Sequence, residues 1–116
     1  MRYLICFLLL ITSLSLQAQD RVEPVAKAAK VIVYGSAGCH FCEQTQAVLQ
    51  KNNISFVFFD VDTQVDARRE MIIKLKKAGI PLSAIQLPVL DWAGKIVMKE
   101  TDFDQFLKNI EKLPKP

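Results

Sequence analysis

Two cysteines separated by two residues, Cys39 and Cys42, are the side chains of this sequence best suited to chemistry. They follow an apolar, β-prone run from Val31 to Tyr34, and a helical pattern begins between them and extends from His40 to Lys51. Unpaired backbone N–H groups and the helix dipole stabilise negative charge at a helix N-terminus, so the first sulfur is placed to react as a thiolate. The second sulfur lies one turn further on, where it can attack a mixed disulfide formed by the first. The spacing predicts thiol–disulfide exchange, with Cys39 as the nucleophile, Cys42 as the resolving thiol and a Cys39–Cys42 disulfide as the oxidised form.

Other interpretations of the pair stay open from the residues alone. A zinc site needs four ligands, and His40 is the one further ligand beside the cysteines, so we predict no metal site within a single chain. A purely structural disulfide would close so short a loop that it restrains the unfolded chain little. His40 is either a tuning group, whose protonated form favours the reduced pair, or an exposed residue with little effect. Phe41 is interpreted as a hydrophobic rim around the cysteines.

The beginning of the chain has the pattern of a secretory signal peptide, with a positive charge, an apolar run from Leu4 to Leu16 and a small residue, Ala18, at its exit. The run is shorter than the roughly 20 residues that a spanning helix needs, so a retained membrane anchor is the less favoured alternative. Cleavage after Ala18 would remove Cys6 and leave an even pair of cysteines, which suits an oxidising compartment. We therefore expect an exported protein, periplasmic or extracellular, with no stable membrane anchor after cleavage.

The rest of the chain alternates strand and helix patterns in the order β-α-β-α-β-β-α. Strands are predicted at 31–34, 54–61, 88–92 and 95–98, and helices at 40–51, 64–78 and 102–112. The strand at 31–34 is predicted to be buried on both faces, and the strand at 54–61 is predicted to be a second buried strand, because both runs are continuously apolar. The predicted buried faces are Phe41, Thr45, Val48 and Leu49 in the first helix, Val65, Ile72 and Leu75 in the second, and Phe103, Phe106, Leu107 and Ile110 in the third. Gly79 ends the second helix, Ala93-Gly94 turns the hairpin, and Thr101 or Asp102 caps the last helix. A right-handed crossover makes the first two strands parallel, and the hairpin adds two more, the first antiparallel to its neighbour. The prediction is an α/β domain with a four-stranded mixed sheet flanked by three helices.

Length and charge limit the remaining possibilities. The 116 residues are enough for one compact domain, which we divide into a signal peptide at 1–18, a linker at 19–29, a folded domain at 30–113 and a tail at 114–116. The net charge of +3 is mild, and basic and acidic residues are interleaved, so no nucleic-acid partner is predicted.

With these features in order, the chain resembles the glutaredoxin family of the thioredoxin-like superfamily. The resemblance rests on the first strand, the Cys39-His40-Phe41-Cys42 motif, the Asp60-Val61-Asp62 strand end and Leu87-Pro88, and it spans about Lys30 to Leu113. It implies a thioredoxin-like fold and a cis-proline at Pro88 facing the cysteines, with the Leu87 backbone pairing with bound peptide or glutathione. It also implies that Thr101 and Asp102 hold the γ-glutamyl carboxylate of glutathione.

The sequence departs from the family pattern around the site. Ser36 stands where a lysine is common, His40-Phe41 replaces Pro-Tyr, Gln86-Leu87 replaces Thr-Val, and Met98-Lys99 replaces paired glycines. We expect an exported, monomeric thiol–disulfide oxidoreductase acting on protein disulfides, recycled by a redox partner and without a tightly bound cofactor. The alternatives are a glutathione-dependent reductase, with glutathione as co-substrate, and a non-catalytic thioredoxin-like binding module.

Overall fold

The structure is a computed structural model that describes residues 31–99 and 101–116. The predicted signal peptide with Cys6, its cleavage site and the predicted linker lie outside these residues. Within the described part, the elements are β1 (Val31–Gly35), α1 (His40–Lys51), β2 (Val57–Asp60), α2 (Val65–Lys77), a 3-10 turn (Leu82–Ala84), β3 (Val89–Trp92), β4 (Lys95–Met98) and α3 (Phe103–Lys112). The predicted order of strands and helices is confirmed. None of the helices in these ranges is long and apolar enough to cross a membrane.

The four strands form one mixed sheet in the order β2-β1-β3-β4. β1 pairs parallel with β2 and antiparallel with β3, and β4 completes the hairpin, as predicted. The prediction of a fully buried strand over 54–61 is wrong. β2 is an edge strand of four half-buried residues. Ile54 instead turns back onto the first helix, where its N–H donates to the Leu49 carbonyl at 2.9 Å.

Side chains of β1 alternate between two hydrophobic cores, one on each face of the sheet. Val31 and Val33 pack with α1 and α3, and Ile32 and Tyr34 pack with α2. All five residues of β1 are buried, which confirms the prediction of a strand covered on both sides. The strand that leads into the cysteine motif is therefore the central support of the domain.

Two of the predicted helix faces need correction. Phe41 is 39% exposed and Val65 is 53% exposed, so neither belongs to a buried face. The buried residues of α1 are Cys42, Thr45 and Leu49, and those of α2 are Ala67, Met71 and Leu75. The predicted faces omit Cys42 and Ala67 and are therefore rotated about the helix axes relative to the observed ones. A buried free cysteine packs as a small hydrophobic residue. In α3, Phe106 and Ile110 are buried as predicted.

The predicted turn and cap residues stand where the backbone requires them. Gly79 follows α2 with φ +75°, and Ala93 and Gly94 form the hairpin turn with φ values of 50° and 96°. Asp102 is the N-cap of α3, and its Oδ1 accepts hydrogen bonds from the N–H groups of Asp104 at 2.9 Å and Gln105 at 3.4 Å. Of the two predicted caps, Thr101 and Asp102, the structure therefore has Asp102.

Candidate active site

Cys39 is the N-cap residue of α1, with extended backbone angles of φ −76° and ψ 110°. Its Sγ accepts a hydrogen bond from the N–H of Cys42 at 3.2 Å, and its own N–H donates to the Ser36 carbonyl at 3.3 Å. The side chain is half-buried, so it remains accessible from solvent. The first sulfur therefore meets a backbone donor at a helix N-terminus, an arrangement that stabilises a thiolate.

Cys42 lies in a different environment, fully buried against the sheet. Both cysteines are free thiols in this structure. Burial raises the pKa of the Cys42 thiol to about 12, and the hydrogen bond to Cys39 acts in the same direction. At neutral pH the second thiol keeps its proton, so it does not start an exchange reaction.

Gly35 makes room for this buried sulfur. A Cβ atom at Gly35 would lie 2.7 Å from the Cys42 Sγ and 2.7 Å from Cε2 of Phe58, closer than carbon and sulfur can approach. The cysteine spacing alone did not indicate this role of Gly35. The available signal was a glycine at the end of an otherwise β-branched and aromatic run, a position that often marks close approach of another group.

Phe41, between the two cysteines, lies in a small aromatic group on the outside of the domain. Its ring centroid is 4.5 Å from that of Phe103 at the start of α3, and the Lys99 ammonium sits 4.1 Å from it. Phe103 in turn contacts Phe106 at 5.8 Å between centroids. The start of α1 is thus connected to the end of β4 and the start of α3 through one side chain of the motif.

His40 is exposed at the first position of α1, with its ring centroid 6.1 Å from that of Phe41. Its tuning role stays a prediction. Across residues 31–99 and 101–116, no group of three His, Cys, Asp or Glu side chains is placed to hold a metal ion.

The Leu87–Pro88 peptide bond is cis, and the Pro88 side chain is fully buried. Tyr34 pairs with Val89 in the β1–β3 ladder, so the next position of that register sets Pro88 opposite Gly35. Because the Gly35 backbone lies against Cys42, this proline comes to the same end of the sheet as the buried thiol. The pairing of Leu87 with a substrate backbone stays a prediction.

Thr101 and Asp102 stand at the start of α3, away from the Pro88 segment in the chain. Together with Lys99 and Gln105 they line a depression of about 220 Å³ between β4 and α3. Oδ1 of Asp102 is engaged by the helix cap. Binding of a glutathione carboxylate by these residues also stays a prediction.

Comparison with known families matches the part of this domain that contains both cysteines. Residues 31–85 match the glutaredoxin family model. The glutaredoxin match contains β1, both cysteines, α1, β2 and α2, and it ends just before Leu87. It supports the family resemblance and suggests thiol–disulfide oxidoreductase activity, with glutathione or protein thiols as partners. No curated protein sequence matches the chain.

A solved structure of similar sequence shows the fold. A crystal structure of a mutant thioredoxin-like protein is 26% identical, with a TM-score of 0.50, covering 70% of this chain and 96% of that protein. A crystal structure of buckwheat glutaredoxin in complex with glutathione is 14% identical, with a TM-score of 0.49, and the matched region covers 62% of each chain. The predicted thioredoxin-like fold, with its four-stranded mixed sheet and three helices, is confirmed.

Proposed function

We propose that this protein is an exported thiol–disulfide oxidoreductase that exchanges disulfides with protein substrates through Cys39 and Cys42. The observation that carries the proposal is the difference between the two thiols. Cys39 is accessible and its sulfur accepts a backbone N–H, whereas Cys42 is fully buried with a raised pKa. Such a difference assigns one thiol to attack and the other to resolution.

The reaction runs in two exchanges. The Cys39 thiolate attacks one sulfur of a substrate disulfide, an S–S bond forms between protein and substrate, and the other substrate sulfur leaves as a thiolate. Cys42 then loses its proton to solvent and attacks the Cys39 sulfur, which releases the second substrate sulfur as a thiolate. The substrate gains two electrons, and the protein pair becomes a disulfide. The reverse sequence oxidises a substrate dithiol.

The burial of Cys42 affects the second exchange more than the first. The raised pKa of Cys42 comes first from desolvation and then from its hydrogen bond and charge interaction with Cys39. Once Cys39 is bonded to the substrate, the Cys39 contributions disappear and desolvation remains. We therefore expect the pKa of Cys42 to fall when the mixed disulfide forms, which favours ionisation of the resolving thiol after the first has reacted.

The two thiols are separated by a matched pair of variants, Cys39→Ser and Cys42→Ser. In an insulin reduction assay, Cys39→Ser should show no exchange, and Cys42→Ser should accumulate a mixed disulfide with the substrate on Cys39, visible by intact mass. Running the assay with and without glutathione separates a protein-disulfide enzyme from a glutathione-dependent one. Preferential alkylation of Cys42 in the reduced protein, or the absence of exchange in the unmodified protein, would contradict the proposal and favour a structural disulfide in a binding module.

Export has its own test. Loss of the first 18 residues should appear in the intact mass of the protein isolated from its native host. A chain that keeps Met1 to Leu16 and stays in the membrane fraction would show that the apolar run is an anchor.

A further inference from the structure

The aromatic group around Phe41 holds a cation beside the motif. The Lys99 ammonium lies 4.1 Å from the Phe41 ring centroid, and the Phe103 ring packs against the same ring with its centroid at 4.5 Å. Attraction to an aromatic face orders a lysine without neutralising it. Among residues 31–99 and 101–116, no carboxylate lies within ion-pair distance of this ammonium group. A fixed positive charge therefore stands next to a residue of the cysteine motif.

A substrate interacts with the positive charge of Lys99 together with the negative charges of acidic groups on the neighbouring elements. Asp102 lines the same depression as Lys99, but its Oδ1 is hydrogen-bonded to two backbone N–H groups of α3. Glu43 and Asp104 are exposed in the first turns of α1 and α3. Both point into solvent, where water and salt screen them. Lys99 is half-buried, and its contact with the Phe41 ring favours one position of its charge.

The size of the depression indicates what kind of group it receives. Its volume of about 220 Å³ is below the range of roughly 300–1,000 Å³ typical of pockets that enclose a whole small ligand. It suits one side chain of a larger substrate that lies across the surface. A carboxylate is the group that a lysine ammonium would favour there.

We propose that Lys99 is a specificity-determining residue, which selects substrates carrying an acidic residue beside the reacting sulfur. The proposal rests on the exchange function argued above and names its substrate class. Lys99 acts on the approach of the substrate to Cys39 and takes no part in bond formation. Its effect is therefore on the rate of the first exchange, with a sign that depends on the charge next to the substrate cysteine.

The test uses three peptides that differ in one residue. Each carries a single cysteine as a mixed disulfide with 2-mercaptoethanol, flanked by Glu, Gln or Lys, and release of the peptide thiol by the reduced protein is followed. The variants are Lys99→Gln, Lys99→Arg and, as a matched control at the opposite end of β4, Lys95→Gln. Comparing rate ratios between proteins cancels the intrinsic reactivity of each peptide.

In water, the interaction between two unit charges about 6 Å apart changes a rate about threefold. Lys99 raises the rate with the Glu peptide and lowers the rate with the Lys peptide, so Lys99→Gln should lower the ratio of these two rates by up to about tenfold. Lys99→Arg and Lys95→Gln should leave the ratio near that of the unmodified protein, and raised salt should weaken it. Any effect of the variant on Cys39 itself enters the rates of all three peptides and cancels in the ratio. An unchanged ratio in Lys99→Gln, or an equal change in Lys95→Gln, would overturn the role of Lys99 while leaving the exchange function intact. No release from the Gln peptide by the unmodified protein would overturn both.

Discussion

Replacing Gly35 by alanine is the sharpest test of how the buried thiol is packed. The new methyl group would lie 2.7 Å from the Cys42 Sγ and from the Phe58 ring, about 1 Å inside normal contact distances. Because both neighbours sit in a close-packed interior, relieving the overlap requires off-rotamer side chains or a shift of α1. Overpacking of this kind costs about 1–3 kcal/mol. For a domain of this size, each kcal/mol lowers Tm by about 4–8 °C.

A double-mutant cycle isolates the contact with the sulfur. Cys42→Ala removes the Sγ, so Gly35→Ala should cost about 1 kcal/mol less in that background than in the unmodified protein. Chemical denaturation of the four reduced proteins measures the loss of stability, and iodoacetamide labelling of Cys42 in the two proteins that retain it measures the exposure of the thiol. Gly79→Ala is the control, because its strain comes from φ +75° with no neighbour within 4 Å, and its cost should be the same in both backgrounds. Equal costs for Gly35→Ala in the two backgrounds would refute the packing argument.

Two further predictions concern the rest of the domain. Ala93 has φ 50° in the hairpin turn, a conformation that asparagine tolerates better, so Ala93→Asn should raise the stability by about 0.5–1 kcal/mol in urea unfolding. A variant no more stable than the parent would count against this reading of the turn. Burial raises the pKa of Tyr34 from 10.0 to about 12 and that of Cys42 from 9.0 to about 12. Because the unfolded chain loses these protons first, the contribution of these two groups to stability should be constant below about pH 9 and should fall as pH rises towards 12. Denaturant midpoints that stay constant up to pH 11 would contradict the burial of these groups.

Much of the fold follows from local patterns. The strand at Val31, the α1 helix and the hairpin turn at Ala93-Gly94 each carry a strong short-range signal, and the structure has all three. The edge position of β2 did not follow, because Ile54 to Val61 is as apolar as a central strand. Strand order depends on which long-range pairings form, and hydrophobicity alone does not rank two apolar strands.

Part of the candidate site could likewise be predicted from local patterns, and part depends on contacts between distant segments. The cysteine motif is contiguous, so its position at the start of a helix could be predicted from spacing. Gly35, Phe58 and Lys99 come to the site from three separate strands or strand ends, and their contacts arise only when the sheet forms. The spacing of Phe41 from Thr45 fits a helical stripe and predicts burial, yet its ring lies at the surface against Lys99 and Phe103.

The position of the buried thiol is set from both faces of β1. Gly35 faces α1 and receives Cys42, while the preceding residue, Tyr34, faces α2 and is held by polar contacts. The Lys74 ammonium donates to the Tyr34 hydroxyl at 2.7 Å and pairs with Asp91 of β3 at 2.7 Å.

Desolvation opposes the charge of Lys74, but the hydrogen bonds to Asp91 and Tyr34 outweigh it, and the pKa of Lys74 lies above its ordinary value. The ammonium therefore stays charged and links α2, β1 and β3 directly behind the site. Removing one member of such a charged pair leaves the other charge without a partner, and this loss costs more free energy than the intact pair contributes to stability. Lys74 therefore holds the end of β1 from one face of the sheet, and Cys42 packs against Gly35 on the other face of the same strand.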